Sequence, residues 1–69
     1  MNLLLAAPRE IDASGHLVLR DRRHRHLRRV LAVTAGDRVR VGEIDGRVGT
    51  AEVIRIDEES AHLRVTLSG

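Results

Sequence analysis

The chain has 69 residues, enough for one small domain, and a formal net charge of +2. It contains no Cys, Phe, Tyr or Trp, which excludes disulfides, thiolate metal sites and the stacking of bases on aromatic rings. The core must therefore be built from Val, Ile, Leu and Ala. The longest apolar run, residues 3–7, is too short to span a bilayer and lacks the basic flank of a signal peptide, so we expect a cytoplasmic location.

Two strands and a turn are predicted before residue 20. The apolar residues 2–7 predict a first strand, either buried on both faces or lying at a barrel seam, and Pro8 ends it. Asp, Ser and Gly within residues 9–15 predict a turn. Residues 16–19 predict a short second strand.

Residues 20–31 concentrate the positive charge of the molecule. This stretch holds six of the twelve Arg residues and two of the four His residues, against one acid, Asp21. Its formal charge is +5, while the other residues sum to −3. Such a concentration of positive charge on one short element is typical of proteins that bind a polyanion.

This basic stretch is predicted to be a helix that has Asp21 as its N-cap and ends near Ala32 or Val33. Its apolar side has the i, i+3, i+4 spacing and consists of Leu27, Val30 and Leu31. Four arginines share the opposite arc: Arg22, Arg25, Arg28 and Arg29. His26 flanks this arc, and Arg23 lies nearer the apolar side, from which its guanidinium would have to extend to solvent.

We predict that the polar residues of this helix bind RNA. The predicted contacts are Arg22, Arg23, Arg25, His26, Arg28 and Arg29. The alternative is the solvated face of an ordinary surface helix. Such faces usually mix charges in i,i+4 pairs, whereas here no acid follows Asp21 until Asp37. The charge pattern therefore favours nucleic-acid contact.

Further strands are predicted after the helix. Gly36 can take the left-handed conformation of a turn, and residues 38–42 alternate with the period of a half-buried strand. Asp45-Gly46 predicts a hairpin with a type I′ turn. A longer strand follows over residues 47–57, in which Gly49 indicates a bulge or close packing.

The last predicted strand, residues 61–67, alternates cleanly after an acidic turn. Its inward-facing residues are Ala61, Leu63, Val65 and Leu67. The chain is thus predicted to be mainly β, with five or six short strands and one short helix after the second strand. Closing such a sheet into a small barrel removes its exposed edges. The side chains expected inside this barrel include Val53, Ile56, Leu63 and Val65.

No catalytic, cofactor-binding or metal-binding residue is predicted. The glycines do not fit a dinucleotide-binding fingerprint, and without Lys there is no Walker A loop. His24 and His26 point to different sides of a helix and have no convergent acid or Cys. The acids at residues 57–59 are expected to be solvated turn residues, and His16 and His62 are expected to be surface strand residues.

One order of features is distinctive: His26-Leu-Arg-Arg-Val-Leu31, then Gly36-Asp37, a strand, Asp45-Gly46 and a final strand ending near Leu67. It resembles the N-terminal domain of the bacterial enzymes that methylate N3 of a uridine in 16S ribosomal RNA. In that family, this domain is a PUA-like β-barrel that helps to bind RNA. A following SPOUT domain binds S-adenosylmethionine (SAM), transfers the methyl group and forms a homodimer.

The resemblance implies that this chain is a PUA-like or OB-like barrel whose catalytic domain follows residue 69. It also implies that 16S ribosomal RNA or the small ribosomal subunit is the partner. The resemblance singles out His26 and Arg29 as RNA contacts, and Val30 and Leu31 as packing residues. The family usually has Arg at the position of Ala32, so one RNA contact found in that family is absent here.

Three hypotheses from different classes follow. In the first, the chain positions ribosomal RNA for a methyltransferase domain and has no activity alone. In the second, it is a stand-alone RNA-binding or ribosome-binding module without a catalytic partner. In the third, it is a structural barrel whose basic helix docks on an acidic protein surface.

Overall fold

A computed structural model describes residues 3–44 and 46–68, in which five strands form one sheet curled into a half-barrel. The strands are β1 (Leu3–Ala6), β2 (His16–Leu19), β3 (Arg38–Glu43), β4 (Val48–Ile56) and β5 (Ala61–Ser68). A 3-10 turn, Pro8–Glu10, follows β1, and α1 (Arg22–Arg25) continues directly into a π-helical turn, His26–Val30. We refer to residues 22–30 as the basic helix. In this part of the chain, no helix is long and apolar enough to cross a membrane.

The predicted mainly β fold with five or six short strands and one short helix is confirmed, and the described residues form five strands. The strand order is β1-β3-β4-β5-β2. All neighbouring strands are antiparallel except β1 and β3, which are parallel. β1 and β2 are therefore the two edges of the sheet. The basic helix follows β2, and the Arg23 guanidinium donates to the Leu5 carbonyl of β1 at 2.7 Å, so the helix links the two edge strands.

The strand predictions from period-two patterns are close to the observed bounds. β2 has the predicted bounds, and those of β3, β4 and β5 differ from prediction by at most one residue. The predicted burial of both faces of β1 is wrong, because Leu5 is 52% exposed while Leu4 and Ala6 are buried. β1 is an edge strand, and only one of its faces meets the core.

The core is aliphatic, as the composition requires. The largest fully buried side chains are Leu17, Leu19, Leu27, Val41, Val53 and Leu63. The alternation predicted for β5 is confirmed, with Leu67 half-buried and its other inward-facing residues buried. Of the other predicted core positions, Val53 is buried, and Ile56 is half-buried and packs against the core cluster.

Two glycines are required by the backbone where the sequence indicated them. Gly36 has a φ of +95°, as predicted for a turn. A Cβ on Gly49 would collide with the carbonyl oxygen of Thr66 on the neighbouring strand. Of the two interpretations of Gly49, close packing is therefore confirmed. The irregularity in the β4–β5 ladder lies further along β4, between Val53 and Arg55.

β3 and β4 form the predicted hairpin. The amide of Glu43 donates to the carbonyl of Arg47 at 2.7 Å, and the amide of Gly46 donates to the carbonyl of Glu43 at 3.0 Å. Asp45, on which the predicted type I′ turn depends, lies outside the described residues.

Candidate nucleic-acid interface

The basic helix begins at the predicted cap. The Asp21 carboxylate accepts a hydrogen bond from the backbone amide of Arg23 at 3.0 Å, which satisfies one of the free donors of the first turn. From His26 onward the helix widens, and the amide of Leu31 donates to the carbonyl of His26 at 3.1 Å. This i→i−5 bond is the mark of a π-helical turn.

The basic helix ends at Val30, two or three residues before the predicted end. Ala32 has a φ of +52°, and the amide of Val33 returns to the carbonyl of Leu27 at 3.0 Å. A residue in the left-handed conformation is a common end of a helix. Here the returning bond spans one residue more than the 6→1 bond of the Schellman motif, in keeping with the wide turn that precedes it. The left-handed position is usually occupied by Gly, because other residues are strained there.

The predicted apolar side of the helix is only partly correct. Leu27 is buried and Leu31 is half-buried, but Val30 is 67% exposed. The prediction that Val30 packs in the core is therefore wrong. The reason is geometric, since the wide turn after His26 changes the direction of later side chains from the regular 100° per residue.

A groove separates the basic helix from β1. It is a cavity of about 860 Å³, and its helix side is lined by polar side chains that include Arg22, Arg23, Arg25, His26 and Arg29. Arg22, Arg25, His26 and Arg29 are exposed, and within residues 3–44 and 46–68 none of these four forms an ion pair with an acid. The structure thus brings five of the six predicted RNA contacts to the groove.

Arg28 lies apart from these five residues. It does not line the groove, and its guanidinium lies 3.8 Å from the carboxylate of Glu58 in the turn between β4 and β5. Both side chains are well exposed, so this ion pair is weak. Four arginines were predicted to share one arc of the helix, and of these four only Arg28 does not line the groove.

Arg23 is held by carboxylates. Its guanidinium contacts Glu10 through two bonds, of 2.6 and 3.0 Å, and Asp21 at 2.8 Å, with 24% of its side chain exposed. Hydrogen bonds from Arg23 lower the pKa of Glu10 and of Asp21, and the two carboxylates raise the pKa of Arg23. Arg23 therefore extends to β1 and not to solvent, and its charge is already matched.

The floor of the groove is apolar. It is lined by Leu4, Leu5, Leu27, Val30, Leu31 and Val39. Two of them present much of their surface to solvent, with exposures of 52% for Leu5 and 67% for Val30. The groove therefore combines an aliphatic floor with cationic groups along one side.

His24 attaches the basic helix to the sheet. It is 4% exposed, and its Nε2 donates to the carbonyl of Asp57 at 2.6 Å. This role of His24 was not predicted from the sequence, although His24, Leu27 and Leu31 have the i, i+3, i+7 spacing of one helix face. The Asp57 carboxylate accepts from the amides of Glu59 and Ser60, which lowers its pKa, as befits the predicted turn acid.

His16 and His62 lie side by side on β2 and β5. Their rings pack edge to face with centroids 5.3 Å apart, and His16 Nε2 lies 3.2 Å from His62 Nδ1. Arg55 lies 3.2 Å from the other nitrogen of His62, and desolvation with this positive charge lowers the pKa of His62. Both histidines are half-buried, so they are less exposed than the predicted surface residues.

Residues 19–66 match the family of PUA domains of RNA methyltransferases. This match covers well over half of the chain, and the chain belongs to that family. Its sheet and basic helix are accordingly a PUA-like fold, as the resemblance implied. A search of the curated proteins found no match.

Three solved structures are similar to this chain. A hypothetical protein superposes with a TM-score of 0.80 at 14% identity, over 93% of this chain and 27% of its own. Lpg2936 of Legionella pneumophila, assigned as a methyltransferase and solved with SAM, gives 0.73 at 19% identity, over 96% and 28%. A protein of Porphyromonas gingivalis assigned as an rRNA methyltransferase gives 0.69 at 30% identity, over 100% and 26%. This chain spans about a quarter of the length of each.

Proposed function

We propose that this chain binds ribosomal RNA through its basic helix and positions the RNA for SAM-dependent methylation of a uridine N3. The observation that carries this proposal is the group of unpaired cations beside the groove, in a chain that belongs to the RNA methyltransferase PUA family. The likeness to the Porphyromonas gingivalis protein supports ribosomal RNA as the class of target. The finer target, 16S RNA or the small subunit, comes from the sequence resemblance.

The electrostatics favour phosphate as the group that these cations contact. Arg22, Arg25 and Arg29 lie on one short helix, and no carboxylate pairs with them in the described part of the chain. Their mutual repulsion is relieved when an anion approaches. The planar guanidinium matches a phosphate group with two parallel hydrogen bonds, so a phosphate backbone supplies the missing counter-charge.

We assign the chemical step to a further domain. The sequence of this chain provides no pair of acid and base and no cofactor loop, so its contribution would be the placement of RNA. Solved structures about four times as long as this chain support such a domain, and one of them holds SAM. We place the SAM site and the homodimer contact in that domain, and the whole protein in the cytoplasm.

The salt dependence of RNA binding tests the role of the helix. Each phosphate contact on a single-stranded RNA releases counterion and contributes about 0.7 to the slope of log affinity against log salt. The double variant Arg25→Ala/Arg29→Ala should bind a single-stranded 16S RNA fragment more weakly and flatten the slope by about 1.4. Titrations at several salt concentrations measure both quantities.

The matched control removes two other exposed arginines. Arg55 is held near Asp57 and His62, and Arg64 lies opposite Glu52 in the β4–β5 ladder. The variant Arg55→Ala/Arg64→Ala has the same change of charge and should keep the slope of the unmodified chain. If both double variants have the slope of the unmodified chain, the basic helix does not contact phosphate and the proposal is wrong.

A further inference from the structure

The groove beside the basic helix combines exposed aliphatic residues with arginines. Leu5 of β1 and Val30 of the helix are 52% and 67% exposed, and both line the groove over a floor of buried or half-buried aliphatic side chains. Exposed aliphatic residues gathered in a concave site, beside polar groups, indicate a binding site more strongly than scattered ones do.

The cations along the groove indicate what occupies it. Arg22, Arg25 and Arg29 line it together with His26, while the acid that also lines it, Asp21, is engaged by Arg23. A second copy of the chain is disfavoured, because a symmetric dimer through this groove would set its arginines against those of the partner. A ligand with an apolar face and a negative backbone satisfies both surfaces.

We propose that the groove holds an unstacked base of a single-stranded RNA, with the adjoining phosphates on Arg22, Arg25 and Arg29. This inference rests on the proposed function and adds the form of RNA that is recognised. The chain has no aromatic residue, but bases that leave a stack are also held between apolar side chains. A cavity of about 860 Å³ lies within the range of small-ligand sites, and β1 and the helix would contact the base from two sides.

The test uses a short single-stranded RNA with one 2-aminopurine, whose fluorescence rises when it leaves its stacked neighbours. Binding to the unmodified chain should raise this fluorescence. Leu5→Ser and Val30→Ser should each weaken binding by about tenfold, because the aliphatic contact with the base is lost, and should abolish the rise. The slope of log affinity against log salt should stay unchanged, since the phosphate contacts remain.

The control is Ile44→Ser. Ile44 is 51% exposed, almost as much as Leu5, and does not line the groove, so this variant should bind and fluoresce like the unmodified chain. Thermal unfolding of each variant separates lost contact from lost fold. Val30→Ser should disturb the fold less than Leu5→Ser, because Val30 is 67% exposed and Leu5 is 52% exposed.

Different experimental results would overturn this inference and the proposed function. If the Arg25/Arg29 variant changes the salt slope but Leu5→Ser and Val30→Ser behave like Ile44→Ser, the groove does not hold a base and the helix still binds RNA. If the unmodified chain binds no RNA, both ideas are overturned. A concentration-dependent dimer in sedimentation that Val30→Ser abolishes would overturn the inference in favour of a second copy.

Discussion

Arg23 and Arg25 are two residues apart on the basic helix but have different surroundings. Arg23 contacts two carboxylates and a backbone carbonyl, whereas Arg25 is exposed and has no ion pair within residues 3–44 and 46–68. In the sequence, both residues belong to the same run of arginines, and nothing in that run distinguishes their surroundings. The difference depends on Glu10, which lies in the 3-10 turn after β1 and accepts a hydrogen bond from Arg23, 13 positions further along the chain.

The ion pair of Arg23 predicts a pH-dependent contribution to stability. Because Arg23 lowers the pKa of Glu10, the folded chain binds this proton less readily than the unfolded chain. The stabilisation is thus present above the unfolded pKa of about 4 and is lost as the pH falls through the lower folded value. Glu10→Gln should lower the free energy of unfolding by about 1–2 kcal/mol at pH 7 and by much less at pH 2.

Urea unfolding at the two pH values measures this difference. Glu59→Gln is the matched control, because Glu59 is an exposed acid and forms no ion pair in the described residues. Its effect should stay small at both pH values. A loss for Glu10→Gln that is equal at pH 7 and pH 2 would show that the side chain acts through shape or neutral hydrogen bonds and not through its charge.

At the scale of the helix, the sequence predicted the start but not the end. Asp21 as N-cap could be recognised because one side chain and the next amides decide it locally. The π-helical turn could not be recognised in the sequence. It is defined by one hydrogen bond, from the amide of Leu31 to the carbonyl of His26, and a single turn is too short to change the spacing of apolar residues detectably. A regular helical wheel places Val30 on the core side, whereas the π-helical turn exposes it and makes it part of the groove lining.

The left-handed residue at the end of the helix predicts an effect on stability. Ala32 has a φ of +52°, a conformation that favours Gly at the end of a helix. Ala32→Gly should raise the free energy of unfolding by about 0.5–1 kcal/mol, because the strain relieved exceeds the added freedom of the unfolded chain. Denaturant titration at neutral pH measures the change.

Ala35→Gly separates strain from flexibility. Ala35 is also exposed, but it is not among the described residues with positive φ. Replacing it adds freedom to the unfolded chain without relieving strain, and should lower stability by about 0.4–1 kcal/mol. Equal losses for the two variants would show that Ala32 is unstrained in solution.

At the scale of the whole molecule, alternation along the strands specified most of the architecture. The inward residues of β5 follow directly from period two, because one face of this strand meets the core. The pairing of β1 with β3 carries no such signal, since a parallel pair joins segments far apart in the chain. Neither the edge position of β1 nor the exposure of Leu5 could therefore be predicted from this apolar run.

This architecture predicts where the stability of the domain is concentrated. Leu63 is fully buried and lies on β5, which pairs with β4 on one side and β2 on the other. Leu63→Ala should therefore cost about 2–5 kcal/mol, through lost burial and a residual cavity. A chain of 69 residues has a total stability of only about 3–10 kcal/mol, so this single change should remove a large part of it. The urea midpoint should fall strongly while the m-value stays the same.

Ile54 provides the control for that truncation. It lies on β4, beside the irregularity in the ladder with β5, and is 42% exposed. Ile54→Ala removes an aliphatic side chain from the same sheet and should cost under about 0.5 kcal/mol, as for other surface positions. If Leu63→Ala leaves no folded population, Val53→Ala removes less volume at another fully buried position and should still cost more than Ile54→Ala. If the buried and exposed positions lose equal stability, the strands do not face the core as described, because burial alone distinguishes them.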